Sequence, residues 1–361
     1  MSRRLFAASL CAVVFSILSL LVVQSTGCDG TAPYVAGGAG AKAPVVVYVS
    51  ADESIARLLL NAFERDTGIP VRMVGDTEAF KSTGLAQRIR GEQNRPVADV
   101  FWSSEVAQIA RLAQEDLCVA VLTERTGDWP EQWRDAKHTW HAFSPRPRVL
   151  VFDPATLERK AVPTSWLEVF APRFHGDVAL ADPRFGTTSG HFTAIRQNVS
   201  EAQWQTVLEQ LRSGAVRVLP GGNAATVAAV ARGEAVLGCT DYDDVIAAQQ
   251  RGVRVEMVVP RLFHDDHSGA IVTPNAVAVL AGARNRAGGE RLVDWLLGSR
   301  AATLLAASAS RNMPLQLDVQ QAFPELVIED LVLVDHAQAA RSHEQTLQAV
   351  LLALRQHAEA S

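Results

Sequence analysis

The sequence predicts an α/β protein of about two domains, and three observations support this class. Short apolar, β-branched runs alternate with segments of helical periodicity along most of the chain. The length of 361 residues is enough for about two domains with sizeable cores. Several apolar runs end in polar turns, which is the usual arrangement at the carboxyl ends of parallel strands. The formal charge of -5, without a long basic run, argues against a nucleic-acid surface.

The first residues have the pattern of an export signal. A positive Ser2–Arg4 segment precedes the apolar stretch Leu5–Val23 and the small residues before Cys28. Residues 1–27 are thus predicted as a signal peptide whose end resembles a bacterial lipobox, with Cys28 as the lipidated residue. Ser25 stands where a lipobox usually carries Leu. An uncleaved anchor helix and cleavage without lipid therefore remain open.

The folded part is predicted to begin with a βαβ unit. Residues 28–44 are small and aperiodic and are predicted to form a flexible tether. Val45–Val49 is a buried strand, the next helix ends at Thr67-Gly68, and Ile69–Val74 is a second strand. Such a unit implies a parallel or mixed sheet with right-handed crossovers.

Polar residues follow two strands of this first sheet. Asp52 and Glu53 come after the first strand, while Ser104 and Glu105 come after a third strand at 98–102. Ser104 or its predecessor is also a plausible N-cap for the following helix. The two strand ends would place their polar groups at the same edge of one sheet, as a binding cleft requires.

The middle of the chain offers an arginine pair and a candidate anion site. Arg146 and Arg148 alternate with prolines ahead of a strand, which suits a crossover between domains. Further on, Thr188-Ser189-Gly190 at a helix start would present backbone N–H groups and hydroxyls to an anion. Capping alone explains this segment equally well. A Ser189–His191 nucleophile pair is an enzyme alternative, although the G-x-S-x-G pattern is absent.

The segment Gly238–Val245 is the most informative stretch of the chain. It carries Asp241, Tyr242, Asp243 and Asp244 between an apolar run and a helical pattern. Crowded carboxylates need solvent or a cation nearby, and strand ends are where open α/β sheets bind ligands. A solvated, helix-capping turn is the alternative.

Two other features are candidates for a metal site and a disulfide. The cluster His264–His267 has a metal-like composition but is as readily an exposed turn. Cys118 and Cys239 remain outside the export segment, and their apolar contexts favour two buried thiols over a disulfide. No cysteine spacing suggests zinc.

Seven short stretches together resemble the solute-binding proteins of bacterial ABC importers, in the branch that includes periplasmic ferric-binding proteins. In order, they are VVVYVSADES, NAFERDTGIPV, ADVFWSSE, PRPRVLVFD, TTSGHF, VAAVARGEAVLG and SGAIVTPNAVAVL. The resemblance implies a periplasmic binding protein fold, with two α/β lobes, a hinge and a ligand cleft between the lobes. The implied domains are 45–143 for the first lobe, 144–262 for the second, 263–320 returning to the first, and 321–361 as a helical segment packing on the second.

The resemblance also implies where ligands would bind. In ferric-binding relatives a His stands near Asp52, and a Glu follows the third strand where this chain has Ser104 followed by Glu105. The relatives' adjacent Tyr pair falls on Asp243-Asp244, with Tyr242 one position early. Every metal-ligand position therefore differs in residue type, whereas the anion-holding Thr188-Ser189-Gly190 and the Arg146/Arg148 pair are retained.

The resulting functional hypothesis is capture of iron(III) or another hard metal ion outside the cytoplasmic membrane for delivery to an ABC permease and ATPase. Oxygen ligands from the acidic residues would hold the cation, with a synergistic anion completing its shell. A small anionic or phosphorylated organic solute is the alternative cargo. An extracytoplasmic hydrolase is a less favoured hypothesis. We expect no catalytic cofactor, a lipid-anchored periplasmic location and no nucleic-acid partner.

Overall fold

The computed structural model describes residues 43–76, 84–263 and 268–360, with side chains as far as 356. The export segment, most of the tether and the His264–His267 cluster lie outside the described residues. None of the helices in the described ranges is long and apolar enough to cross a membrane.

The central strands of the first sheet, β1 and β3, are β-branched and aromatic runs buried on both faces, whereas the edge strand β2 is partly exposed. β1 is fully buried and pairs in parallel with β2 on one side and β3 on the other. Helix α1 follows β1, is capped by the Asp52 side chain and ends at Gly68, which adopts the left-handed conformation that glycine tolerates. The predicted βαβ opening is therefore confirmed. The elements of this region are β1 Val45–Ser50, α1 Glu53–Thr67, β2 Val71–Gly75, α2 Gly84–Gly91, β3 Val100–Ser103, α3 Val106–Gln114, β4 Cys118–Val119 and α4 Glu124–Gly127.

The second sheet combines parallel and antiparallel pairing. Its strand β8 lies between β5, which is antiparallel to it, and β6, which is parallel to it. Gly238 in β8 has no room for a side chain, because an added Cβ would lie 2.7 Å from Thr226 Cγ2. The elements are β5 His141–Phe152, α5 Trp166–Val169, β6 Val178–Ala181, α6 Gly186–Asn198, α7 Glu201–Arg212, β7 Val216–Leu219, α8 Gly222–Ala231, β8 Leu237–Asp241, α9 Tyr242–Gln250 and β9 Glu256–Val258.

One long strand, β5, belongs to both sheets. Its first half pairs with β10 (Val272–Leu280) and its second half with β8, so the strand order is β2-β1-β3-β10-β5-β8-β6-β7, with β4 on β10 and β9 on β5. The register of β10 on β5 shifts between Thr273 and Asn275, around Pro274, as expected for a residue that cannot donate to the ladder. Arg146 and Arg148 lie where β5 passes from one sheet to the other.

Separate hydrophobic cores make the molecule a two-lobed α/β protein. One core packs around β1, β3 and β10, and the others pack around β6 and β8. The remaining helices are α10 Arg286–Leu296, α11 Ser299–Ala307, α12 Leu317–Ala322 and α13 His336–Ala360. Helix α13 contacts α6 and α7 of the second lobe and also α3 of the first. The lobe boundaries given above stay predictions.

Both cysteines outside the export segment are free thiols. Cys118 and Cys239 are buried and unpaired. Burial raises the pKa of each to about 12. The prediction of two buried thiols is therefore confirmed.

Candidate functional site

A cavity of about 510 Å³ lies where strands of both sheets end. The loops after β1 and β3 contribute Asp52 and Ser104 from the first lobe. The second lobe contributes the starts of α6, α8 and α9. This placement follows the general rule that ligands bind at the carboxyl ends of strands in open α/β sheets. Its principal lining residues are Asp52, Ile55, Ser104, Arg146, Asp182, Arg184, Phe185, Gly186, Thr187, Thr188, Gly221, Gly222, Asn223, Asp241, Asp243, Asp244, Asn275 and Asn312.

Asp241, the last residue of β8, is the best-anchored charge at this cavity. Its carboxylate lies 2.8 Å from Arg148 Nη1 and 3.3 Å from Arg146 Nη2. It also accepts hydrogen bonds from Thr187 Oγ1 at 2.7 Å and Asn223 Nδ2 at 3.1 Å. Burial alone would raise the pKa of Asp241, but the two guanidinium groups hold that pKa below its ordinary value. Asp241 therefore stays ionised.

Two further carboxylates extend this charge towards the cavity. Asp241, Asp243 and Asp244 each offer an oxygen, and these three oxygens lie within 4.8 Å of one another. Asp243 is 27% exposed and sits 3.4 Å from Arg146 Nε. Burial raises its pKa to about 6; the Asp241 charge acts in the same direction, and Arg146 opposes it. Ionisation of Asp243 near neutral pH therefore costs free energy.

The charge balance of the cluster favours a cation. Three carboxylates, those of Asp241, Asp243 and Asp244, face two guanidinium groups, those of Arg146 and Arg148. The cluster therefore carries about one excess negative charge when all three acids are ionised. Closely spaced carboxylate oxygens are the ligands that hard cations prefer. Binding a cation here would also relieve the repulsion that raises the pKa of Asp243.

Two helix N-termini lie at the cavity beside the acidic cluster, because Thr187 and Asn223 in their first turns donate hydrogen bonds to Asp241. Helix α6 starts at Gly186 and helix α8 at Gly222, both at positive φ, and both starts line the cavity. Free N–H groups and the helix dipole make such positions favourable for anions. Arg184 lies on the same wall, paired with Asp182.

The predicted anion segment is only partly at the cavity. Thr188 lines the wall, but Ser189 and Gly190 do not, because α6 begins at Gly186 and these residues already lie further along the helix. Arg148 is completely buried behind Asp241 and does not line the cavity, whereas Arg146 does. Of the predicted anion-binding residues, Arg146 and Thr188 therefore line the cavity, whereas Arg148 is paired with Asp241.

Three of the predicted metal ligands also lie away from the cavity lining. Glu53 is exposed and pairs with Arg57 on α1. Glu105 is buried and caps α3 by accepting from the backbone N–H groups of Ala107 and Gln108. Tyr242 packs beside an apolar core of the second lobe. Asp52, Ser104, Asp243 and Asp244 do line the cavity, and Asp52 caps α1 at the same time.

The geometry does not assemble the Ser189–His191 pair. Ser189 Oγ hydrogen-bonds to His343 Nε2 at 2.9 Å. The His191 ring lies edge-on to Trp166, with ring centroids 4.3 Å apart, and neither of its ring nitrogens has a hydrogen-bond partner within the described residues. Burial lowers the pKa of His191 well below its ordinary value, and the nearby Arg148 charge adds to the shift. His191 is therefore a neutral core residue.

Thr187 and Asn223 were absent from the predicted site, and Asp241, although part of the acidic segment Gly238–Val245, was not among the predicted ligands. Asp241 is the final residue of β8, so the strand-end rule applied strictly would have included it. Thr187 and Asn223 occupy the first turns of α6 and α8 and hydrogen-bond each other at 2.9 Å. Their shared position, immediately after a glycine at a helix start, is the signal that could have found them.

Comparison with known proteins gives the family. The model of the family described as bacterial extracellular solute-binding protein matches residues 95–334. The major ferric iron-binding protein of Neisseria meningitidis serogroup B is 28% identical over 284 residues, covering 75% of this chain and 82% of the relative. The putative 2-aminoethylphosphonate-binding periplasmic protein of Salmonella typhimurium is 24% identical over 273 residues, covering 74% and 76%.

Solved structures share the fold. Iron-bound HitA from Pseudomonas aeruginosa superimposes with a TM-score of 0.73 at 20% identity, covering 85% of this chain and 99% of that one. AfuA from Actinobacillus pleuropneumoniae, with fructose-6-phosphate bound, gives 0.68 at 17% identity, covering 86% and 98%. The two-lobed fold, the sheet-edge cavity and the match over residues 95–334 agree: this chain belongs to the bacterial extracellular solute-binding protein family.

Proposed function

We propose that this chain is the solute-binding component of an ABC importer and captures iron(III), or another hard metal ion, outside the cytoplasmic membrane. The observation that carries the proposal is the cluster of Asp241, Asp243 and Asp244, whose oxygens lie within 4.8 Å of one another on the cavity wall. The family is one of solute-binding proteins rather than enzymes.

The acids of the cluster have distinct parts in cargo binding. Asp243 and Asp244 are the principal ligands, because the Asp241 oxygens already contact two arginines and accept hydrogen bonds from two neutral donors. Asp241 instead fixes Arg146 beside Asp243 and contributes negative potential. Asp52 and Ser104 reach the cavity from the other lobe, so closure of the lobes would complete an oxygen-rich shell.

An anion accompanies the metal in this proposal. A trivalent ion exceeds the single excess negative charge of the cluster, so further negative charge must come from the cargo itself. The starts of α6 and α8 would hold that anion through backbone N–H groups and the Thr188 hydroxyl. A structure of the Trichodesmium protein IdiA (FutA) in complex with iron and citrate shares this fold with a TM-score of 0.72 at 15% identity, which makes ferric citrate a natural probe.

The names of several relatives support iron as the cargo. Besides the Neisseria protein, the Fe(3+)-binding periplasmic protein of Serratia marcescens is 22% identical over 273 residues. These names describe those proteins. The cluster of this chain lacks an adjacent tyrosine pair and offers carboxylates instead, which still suit a hard cation.

A second candidate cargo is a small phosphorylated organic solute, and the cavity size is the observation that favours it. A volume of about 510 Å³ is in the range of small-molecule sites rather than of a bare ion. In this arrangement the helix starts and Arg184 would bind the phosphate, and the aspartates would accept hydrogen bonds from hydroxyls or an amine.

Calorimetry on the purified protein separates the two cargoes. Ferric citrate should bind the wild type and fail to bind the double variant Asp243→Asn/Asp244→Asn. The matched control is Glu131→Gln/Glu158→Gln, which removes two carboxylates whose side chains are 92% and 71% exposed. Heat from fructose 6-phosphate or 2-aminoethylphosphonate, with none from ferric citrate, would replace the metal proposal by the organic one.

The partners and anchoring follow from the same proposal. The cargo-loaded form would dock on an ABC permease driven by its ATPase, and lipid on Cys28 would hold the protein at the outer face of the membrane. A mass measurement on membrane-extracted protein tests the anchor, since diacylation of Cys28 adds a lipid mass that Cys28→Ser removes.

A further inference from the structure

A buried histidine of the C-terminal helix α13 contacts helix α6, whose first turn lines the cavity. His343 on α13 is 3% exposed. Its Nε2 atom lies 2.9 Å from Ser189 Oγ, and its Nδ1 atom lies 3.3 Å from Thr193 Oγ1. Ser189 and Thr193 are four residues apart on α6, so they share one face of that helix. The imidazole therefore bridges two successive turns of α6.

The part of α6 held by His343 is close to the part that meets the cluster. Thr187 donates to Asp241 at 2.7 Å, and Thr188 lines the cavity. Ser189 lies about 3 Å beyond Thr187 along the helix axis at the usual helical rise. A turn of helix is stiff over this length, so a displacement of Ser189 is passed to the Thr187 hydroxyl and the α6 N–H groups.

Helix α13 is itself held by both lobes. Towards the first lobe, Gln114 Nε2 donates to the Ala337 carbonyl at 3.0 Å, and Ala340 lies in the first core. Towards the second lobe, Val350 and Ala353 are fully buried in the second core. His343 lies between these two anchored regions, so it ties the start of α6 to an element that belongs to both lobes.

We propose that His343 is a positioning residue for the cargo site: through Ser189 and Thr193 it fixes the first turn of α6, and with it the Thr187 hydroxyl on Asp241 and the anion-facing N–H groups. Its effect on cargo binding rests on the function proposed above. Its effect on α6 does not, because that effect exists in the cargo-free protein.

Three variants of the full chain test the proposal without cargo. His343→Ala removes both hydrogen bonds, His343→Gln retains one donor and one acceptor, and the control Gln345→Ala changes an exposed residue of the same helix. In hydrogen exchange monitored by mass spectrometry, His343→Ala should make the amides of residues 190–193, which hydrogen-bond back to the first turn of α6, exchange about tenfold faster. The Gln variant should recover most of the protection, and the control should match the wild type, as should residues 45–50 in every variant.

Cargo binding supplies the second readout. Under conditions where all variants are folded, His343→Ala should weaken ferric citrate binding by about three- to tenfold. The Gln variant should restore most of that affinity. A merely structural role would lower the thermal midpoint while leaving both the exchange of residues 190–193 and the affinity of the folded protein unchanged, and that result would overturn the proposal. If the wild type itself does not bind ferric citrate, the proposal of a ferric cargo is wrong, while the exchange experiment still decides the role of His343.

Discussion

Because the pKa of Asp243 is raised, cargo binding should weaken as the pH falls from 7 to 5, and Asp243→Asn should remove this contribution to the pH dependence. The pKa of Asp243 is about 6 in the cargo-free protein, chiefly because of burial, with the Asp241 charge adding to the shift. A metal ion binds the ionised carboxylate, so a bound proton competes with it. Between pH 7 and pH 5 the ionised fraction falls from about 0.9 to about 0.1, which predicts about a tenfold loss of affinity from this group alone.

The assay compares wild type with Asp243→Asn at both pH values. Ferric citrate changes its own speciation with pH, but that change cancels in the ratio of the two affinities. At pH 7 the wild type should bind ferric citrate more tightly than Asp243→Asn does, and the ratio of the two affinities should be about tenfold smaller at pH 5. A ratio that stays constant across this range would show that Asp243 does not exchange a proton for the cargo.

Three further predictions concern the protein without cargo. Asp241→Asn should lower the free energy of unfolding by about 3–5 kcal/mol in urea titrations, because it leaves the buried Arg148 guanidinium without a carboxylate and Arg146 with Asp243 alone. A loss below about 1 kcal/mol would contradict the assigned network. Asp243→Asn should stabilise the protein by about 1–2 kcal/mol at pH 7 and much less at pH 4. In the wild type, the stability that comes from a proton on Asp243 is fully present below the unfolded pKa of 3.8 and is lost as pH rises through the folded pKa of about 6. Equal effects of the substitution at both pH values would contradict this. Cys118 and Cys239, both buried with pKa values of about 12, should react with a thiol reagent only after denaturation, and rapid labelling of the native protein would count against their burial.

Local sequence patterns were sufficient for most of the fold. The β-branched run at Val45 and the Thr67-Gly68 stop predicted β1 and the end of α1, because burial periodicity and the left-handed glycine cap are local properties. Pro274 in the last long strand is another local signal, since proline cannot donate to the ladder and the register shifts at this residue. The double membership of β5 was beyond such reasoning, since it depends on pairing with β10, about 130 residues away, and with β8, about 90 residues away.

The candidate site was predictable in location and less so in detail. Strand-end reasoning and register placed Asp243 and Asp244 at the cavity, where the structure also has them. Asp241 was missed because its importance comes from Arg148, 93 residues earlier in the chain. Glu105 caps α3 and does not line the cavity, and capping is a local use of a carboxylate that competes with ligand binding.

The position at which α6 begins decides which residues of the predicted anion segment Thr188-Ser189-Gly190 lie at the cavity. Placing the helix start among Thr188, Ser189 and Gly190 made all three candidates for a bound anion. The glycine at positive φ that begins α6 is Gly186, so the helix starts two residues before Thr188, and Ser189 faces His343 instead of the cavity. The contact with His343 joins residues 154 apart and leaves no trace in local periodicity.

Metal binding by the acidic cluster is tested most simply by equilibrium dialysis of the purified protein against ferric citrate, with the retained iron measured by elemental analysis. We expect about one iron per wild-type chain and almost none for Asp243→Asn/Asp244→Asn, while Glu131→Gln/Glu158→Gln retains as much as the wild type. A wild type that retains no iron, or an aspartate variant that retains as much as the wild type, would contradict the proposal that Asp243 and Asp244 bind a hard metal ion.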